Sequence, residues 1–209
     1  MEDTRDEESF EAELVVASMV TVDPAEDSEA HREELESVTF LQEQLRSEGV
    51  DVDLLAKPGA EVWTGTIPDL GAVYQLARLA RYLELGRPID TVLADGPALP
   101  DDFDPVVADV WHELADTRFP QLVNLRGINT YYLPVDFDGP IVMVYEDADG
   151  EEDEATFGSA VRLLAELDVL EPLLREAGVA PDGDAGEVFA TLREAARQSV
   201  ANDLPVIVW

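Results

Sequence analysis

The stretch YYLPVDFDGPIVMVY, residues 131–145, decides the fold class. Its β-branched and aromatic residues form two runs, 131–137 and 141–145, around Asp138-Gly139-Pro140. That pattern predicts two strands about a turn. Pro134 cannot donate to a ladder, which makes the first of them an edge or irregular strand. Downstream the period changes: Val161, Leu164, Leu167, Leu170 and Leu174 recur at helical spacing. An amphipathic helix is expected there, kinked or divided at Pro172.

Outward from this centre, strands and helices continue to mix. Residues 14–22 are β-rich and end at Pro24. A helix is expected from about residue 28 to 48, with Leu35, Val38, Leu41 and Leu45 on one face and Gly49 as its stop. Residues 50–56 read as a second strand and 61–66 as a further extended piece. Asp69 is placed to cap a helix through residue 84 whose apolar face is Val73, Leu76, Ala77, Ala80 and Leu83. Residues 95–105 form a loop, and Asp104-Pro105 opens a short helix. Residues 146–154 (EDADGEEDE) read as an acidic loop and 178–186 as a linker. A last helix follows over 187–201, and 205–209 is a terminal strand tied into the sheet. The expectation is one α/β or α+β domain over 10–209, a mixed sheet of about four to six strands with about five helices packed on it, after a disordered acidic tail at 1–9.

Composition narrows the function classes. Among 209 residues, 47 are acidic and 13 basic, for a formal charge of −34, and cysteine is absent. Disulfides, thiolate metal sites and cysteine nucleophiles are thereby excluded. The 46% hydrophobic content argues against disorder of the whole chain. The acidic N-terminus lacks the basic and apolar regions of a signal peptide, and the apolar run at 14–20 is too short to span a membrane. Nucleic acid and anionic lipid are poor partners for so negative a surface. Lys57 is the only lysine beside twelve arginines. Acid excess with lysine nearly eliminated points to the cytosol of a salt-accumulating halophile, where a screening length of about 3 Å at molar salt makes the self-repulsion short-ranged.

Motifs for chemistry are absent. No Walker loop and no dinucleotide fingerprint is present. Ser159, in Phe157-Gly158-Ser159-Ala160, lacks the second glycine of a nucleophile elbow and reads as a helix cap. His31 and His112 stand alone in separate helical segments, without zinc spacing. The alternating acids at 147–154 do not match a calcium loop, and they and Asp101, Asp102 and Asp104 read as solvated. No catalytic residue, metal or cofactor is therefore expected. The rarer residues are more informative: Trp63, Tyr74, Arg78, Arg126, Tyr131 and Tyr132 are the candidate binding residues, as an arginine–tyrosine surface for a partner or an anion. Arg78 and Tyr132 are expected to be the first to share a cleft.

Three segments resemble an uncharacterised family of prokaryotic cytosolic proteins. They are Glu61-Val62-Trp63-Thr64-Gly65 with the helix 73–80, Phe119-Pro120-Gln121-Leu122-Val123-Asn124 leading to residues 131–137, and Gly158-Ser159-Ala160 with the helix after it. In similar sequences the first helix carries a histidine and a double arginine, and the turn before the Tyr-Tyr pair carries a Ser-Asp acidic turn. Here Gln75 and Ala77 stand in that helix beside Arg78, and the turn reads Arg126-Gly127-Ile128-Asn129-Thr130. The resemblance implies a small Leu-rich α/β unit similar to some immunity-type and interaction proteins, with no established activity. The expected function is a non-enzymatic, immunity-like interaction module with a protein partner, a basic one being suited by the charge, and no nucleic-acid or membrane partner. The alternative is a small-molecule or anion-binding protein or enzyme with an Arg/Tyr/Trp pocket.

Overall fold

The computed structural model describes residues 11–99, 102–146 and 152–209. The acidic tail, Asp101 and residues 147–151 of the acidic loop lie outside these. The chain runs β1 (Ala12–Ala17), α1 (Ser28–Ser47), β2 (Glu61–Ile67), α2 (Leu70–Glu84), α3 (Asp90–Asp95), α4 (Pro105–Trp111), α5 (Pro120–Val123), β3 (Thr130–Leu133), β4 (Ile141–Glu146), β5 (Glu152–Ser159), α6 (Ala160–Glu176), α7 (Asp184–Asn202) and β6 (Val206–Val208). The six strands form one mixed sheet in the order β2-β1-β6-β3-β5-β4. This is the α+β arrangement that the mixed pattern implied. The helices beyond about five are the short α3 and α5, too brief to show a periodicity.

The sheet separates two layers because successive side chains of a strand point to opposite faces. On one face Leu14 and Val16 of β1, Tyr132 of β3 and Val206 and Val208 of β6 are buried with α2, α6 and α7. On the other, Leu133 of β3 and Ala155 and Phe157 of β5 are buried under Val38 and Leu45 of α1 and the apolar residues of 50–54. Asp27 caps α1 by accepting from the amides of Glu29 and Ala30. Glu34 accepts from the amides of Thr21 and Val22 at 2.9 Å, which pins the entry to that helix.

Several expectations change. Residues 50–56 form no strand: Val50, Val52 and Leu54 are buried in alternation with exposed Asp51 and Asp53, but the segment finds no ladder partner. The amide of Leu54 instead donates to Gln42 Oε1 at 2.7 Å. β3 is interior, not an edge, and stops at Leu133 just before Pro134. β3 and β4 do not pair with each other, because β5 lies between them, parallel to β3 and antiparallel to β4. β5 begins inside the stretch read as an acidic loop, so Glu154 belongs to a strand. Finally, α6 runs unbroken through Pro172, from a cap in which Ser159 Oγ accepts from the amide of Arg162.

A small polar hub joins β3, β5, α5 and α6. Gln121 Oε1 accepts from the amide of Ser159 at 2.9 Å, and the Gln121 carbonyl accepts from the Tyr132 hydroxyl at 2.9 Å. Glu166, buried on α6, accepts from the amides of Gln121 and Leu122 at 2.9 and 3.0 Å and so satisfies the start of α5. Gly158 faces Tyr132 across the ladder. A Cβ there would lie 2.6 Å from the Tyr132 ring and 2.7 Å from Gln121 Oε1. Gly65 has the same role on β2, where a Cβ would strike the Trp63 indole at 2.3 Å.

Two outcomes are expected. Gly158→Ala should destabilise the fold by about 1–3 kcal/mol, read as a lower urea midpoint in molar KCl, because the added methyl must displace a fully buried ring. Burial raises the Glu166 carboxyl to about 8, against the pull of the Gln121 and Leu122 amides. The folded chain then holds a proton that the unfolded chain has released, so stability falls as pH rises from the ordinary carboxylate range through about 8. Glu166→Gln should flatten this slope between about pH 5.5 and 8, while losing one amide acceptor at every pH. An unchanged slope in urea titrations at several pH values would refute it.

Candidate interaction surface

Helix α2 is the centre of the helical layer. Every residue from Gly71 to Arg81 is buried, although the pattern predicted a single apolar face. Its polar side chains are therefore spent inside the protein. Arg78 Nε donates to Asp104 Oδ2 at 3.1 Å, and its terminal nitrogen to Asp95 Oδ2 at 2.8 Å. Burial works against the Arg78 charge, but these carboxylates outweigh it and raise its pKa. Asp104 also accepts from the Tyr82 hydroxyl at 2.9 Å and from the amide of Val106 at 3.1 Å, as the cap of α4. Its own amide donates to the Tyr74 hydroxyl at 2.6 Å. Desolvation raises the pKa of both tyrosines, so they stay neutral donors and acceptors. One turn on, Arg81 pairs with Glu84 and donates to the carbonyls of Val106 and Asp116 at 3.0 and 3.1 Å. Asp104, expected to be solvated, has a side chain only 11% exposed.

The six candidate residues do not converge. Tyr74 and Arg126 line a shared dimple with Phe103 and Trp111, of about 20 Å³ and roughly the size of one water. Arg126 lies 5.3 Å over the Trp111 ring and donates to Asn124 Oδ1 at 3.0 Å. Burial lowers its pKa, partly opposed by the charge of Glu154. Arg78 sits next to Tyr74, 5.8 Å from its ring, but its hydrogen bonds are to Asp95 and Asp104. Tyr132 is 1% exposed and part of the hub, so it shares no cleft with Arg78. Burial, then the Glu166 charge, pushes its phenol well up. Tyr131 faces the opposite side of the sheet, stacked on Phe157 at 5.0 Å. Trp63 lies flat over Gly65 on the edge strand β2. Adjacent strand positions cannot both line one pocket, which separates Tyr131 from Tyr132.

What reaches solvent is acid. Glu29, Glu33, Glu36 and Glu43 of α1 are exposed, as are Asp51 and Asp53, Asp90 and Asp95 of α3, Asp102, Asp109 and Glu113, and Asp184 and Glu187 of α7. Most cations are consumed in place. Arg32 lies near Glu29 and Glu36, Lys57 near Asp203, Arg162 against Asp136 and Asp138, and Arg193 against Asp168 and Glu171. Sequence reasoning missed Asp95, Gln121 and Glu166 and read Asp104 as solvated; among 47 carboxylates only their contacts with Arg78 and with the start of α5 single out the acids of that set. Among the described residues no group of three or more His, Asp or Glu side chains could hold a metal ion. No helix among them is long and apolar enough to cross a membrane.

No curated protein and no solved structure matches the chain. A family described as "Putative DNA-mimic protein" matches residues 11–208. This overturns the functional expectation, both as an immunity-like interaction module and in its alternative of a ligand pocket. It also overturns the expectation of a partner left unspecified, because the family's description points to imitation of DNA. Over nearly its whole length, the chain belongs to this family.

Proposed function

We propose that the protein is a DNA mimic whose acidic surface occupies the DNA-binding face of a DNA-binding protein. The family match over residues 11–208 carries this reading. The charge distribution supports it. A duplex presents one negative charge per about 1.7 Å of axis, and a protein that reads it offers arginines and lysines arranged for phosphates. A chain of net charge −34, with carboxylates exposed on several elements and most of its described cations paired internally, offers acceptors to the same donors. The rigid hub and the buried clamp on α2 hold those carboxylates in a fixed pattern, which separates a mimic from a flexible polyanion.

The single lysine and the acid excess further suit a cytosol concentrated in salt. Ionic attraction alone is weak there, because the affinity gained from counterion release falls steeply with salt. Shape and apolar contact then supply the selectivity. The partner is accordingly a protein whose DNA cleft is matched in form as well as in sign.

The test is displacement. Proteins from the source organism are bound to duplex-DNA resin in KCl and eluted with this chain or with polyglutamate of equal charge concentration. The expected result is that the chain releases a small, discrete set of DNA-binding proteins which polyglutamate leaves bound. Identical elution profiles, or no elution, would overturn the mimic reading.

A further inference from the structure

One feature runs against the acidic surface. Between the end of α6 and the face of α7 lies an open groove of about 710 Å³. Leu174, Val179 and Phe189 form its apolar lining, and Arg175, Arg193 and Arg197 stand around it, outnumbering Glu171 and Glu194 at the same rim. Three of the chain's twelve arginines therefore meet at one concave apolar surface. Arg193 spans to Asp168 and Glu171, and its Nε is buried without a partner. Arg197 is only loosely paired, 4.0 Å from Glu194. Arg175 is exposed and makes no ion pair among the described residues.

The complementary surface is on the same chain. Phe40 of α1 is 62% exposed, the most exposed aromatic side chain among the described residues. Glu36 and Glu43, one turn to either side, share its outer face and are about 10 Å apart along the helix. An aromatic side chain flanked by two carboxylates fits an apolar groove flanked by arginines. The two surfaces lie on opposite faces of the sheet, because α1 covers Leu133 and Phe157 while α6 and α7 cover Val206 and Val208. They cannot meet within one molecule.

We propose that the α6–α7 groove receives helix α1 of a second copy of the chain, with Phe40 seated on the apolar lining and Glu36 and Glu43 against the arginines. The contact is head-to-tail: each copy keeps one free α1 and one free groove, so association continues into a chain of copies or closes as a ring. One helix in one groove is at the small end of interface sizes, so association is weak and concentration-dependent. Molar salt favours it, because screening removes the long-range repulsion between copies of charge −34 while the apolar contact persists. This inference stands independently of the DNA-mimic reading.

The mass of the full-length chain in molar KCl, measured by sedimentation over micromolar to millimolar concentration, tests it. Two variants each remove one side of the contact: Phe40→Asp spoils the knob, and Ala190→Glu puts a charge into the groove. Both positions are exposed, and circular dichroism verifies that each variant is folded. The wild type should rise from its 22.9 kDa monomer to at least twice that mass. Each variant alone should stay monomeric. An equimolar mixture should form a 1:1 dimer and go no further, because it contains one intact groove and one intact knob. A wild type that stays monomeric throughout overturns the proposal, and laurate-induced shifts at Phe189 would then give the groove to a small amphiphile. Assembly that survives both substitutions overturns it equally. Neither variant removes a surface carboxylate, so displacement from duplex-DNA resin can succeed or fail separately.

Discussion

The sheet depends on three residues at the end of the chain. Val206, Ile207 and Val208 pair antiparallel with β1 on one side and with β3 on the other. Among the described residues they are the only strand that joins the N-terminal pair β1–β2 to the trio β3–β5–β4. The backbone flanking the strand extends the seam: Trp209 exchanges both amide–carbonyl bonds with Glu13, and the Asn129 amide donates to the Val208 carbonyl. Both faces of this strand are buried, with Val206 and Val208 on one side and Ile207 on the other. Pairing over such sequence separation carries a large loop-closure entropy, so the two halves of the sheet join late or together.

Above that seam, the helical layer is organised by charge in an unusual place. Arg78 and Arg81 lie in a helix buried on every side, and removing Glu84 from Arg81, or both Asp95 and Asp104 from Arg78, would leave a buried cation unpaired. Asp104 is the key acceptor because it serves Arg78, Tyr82 and the start of α4 at once. The region between α2 and α5 is thus tied to the core through polar contacts as well as apolar ones. Glu166 does comparable work for α5, a four-residue helix with no side-chain cap of its own.

This interior arrangement bears on function by subtraction. Arginines and tyrosines that looked available for a ligand are occupied by the fold. The surface that remains is acidic, apart from the arginine-flanked groove on α6 and α7. Surface acids alone cannot distinguish adaptation to salt from imitation of DNA, since both place carboxylates in water. On the reading proposed above, the family match favours imitation of DNA, and the fold adds what a bare polyanion lacks, a fixed spatial pattern.

Elements with an uninterrupted local pattern were legible in the sequence. The apolar period of α1, α2 and α6, the caps at Asp69, Asp104 and Ser159, and the β-branched ends of the chain were all readable, because each is set by residues a few positions apart. Residues 50–56 show the limit of that reading. Their alternation is real and buries the right side chains, yet a strand also needs a neighbour with free backbone groups. β5 shows the converse: its acidic start reads as loop, and pairing with β3 and β4 makes it a strand. The six candidate residues fail to converge for the same reason. Tyr74 and Arg78 were visible as neighbours on one helix, but their real partners lie 17 to 30 positions away. Local patterns set the mixed class, the longer helices and the acidic character. The strand order and the few charges that lie inside came from the assembled fold, because backbone pairing and desolvation depend on groups brought together from distant parts of the chain.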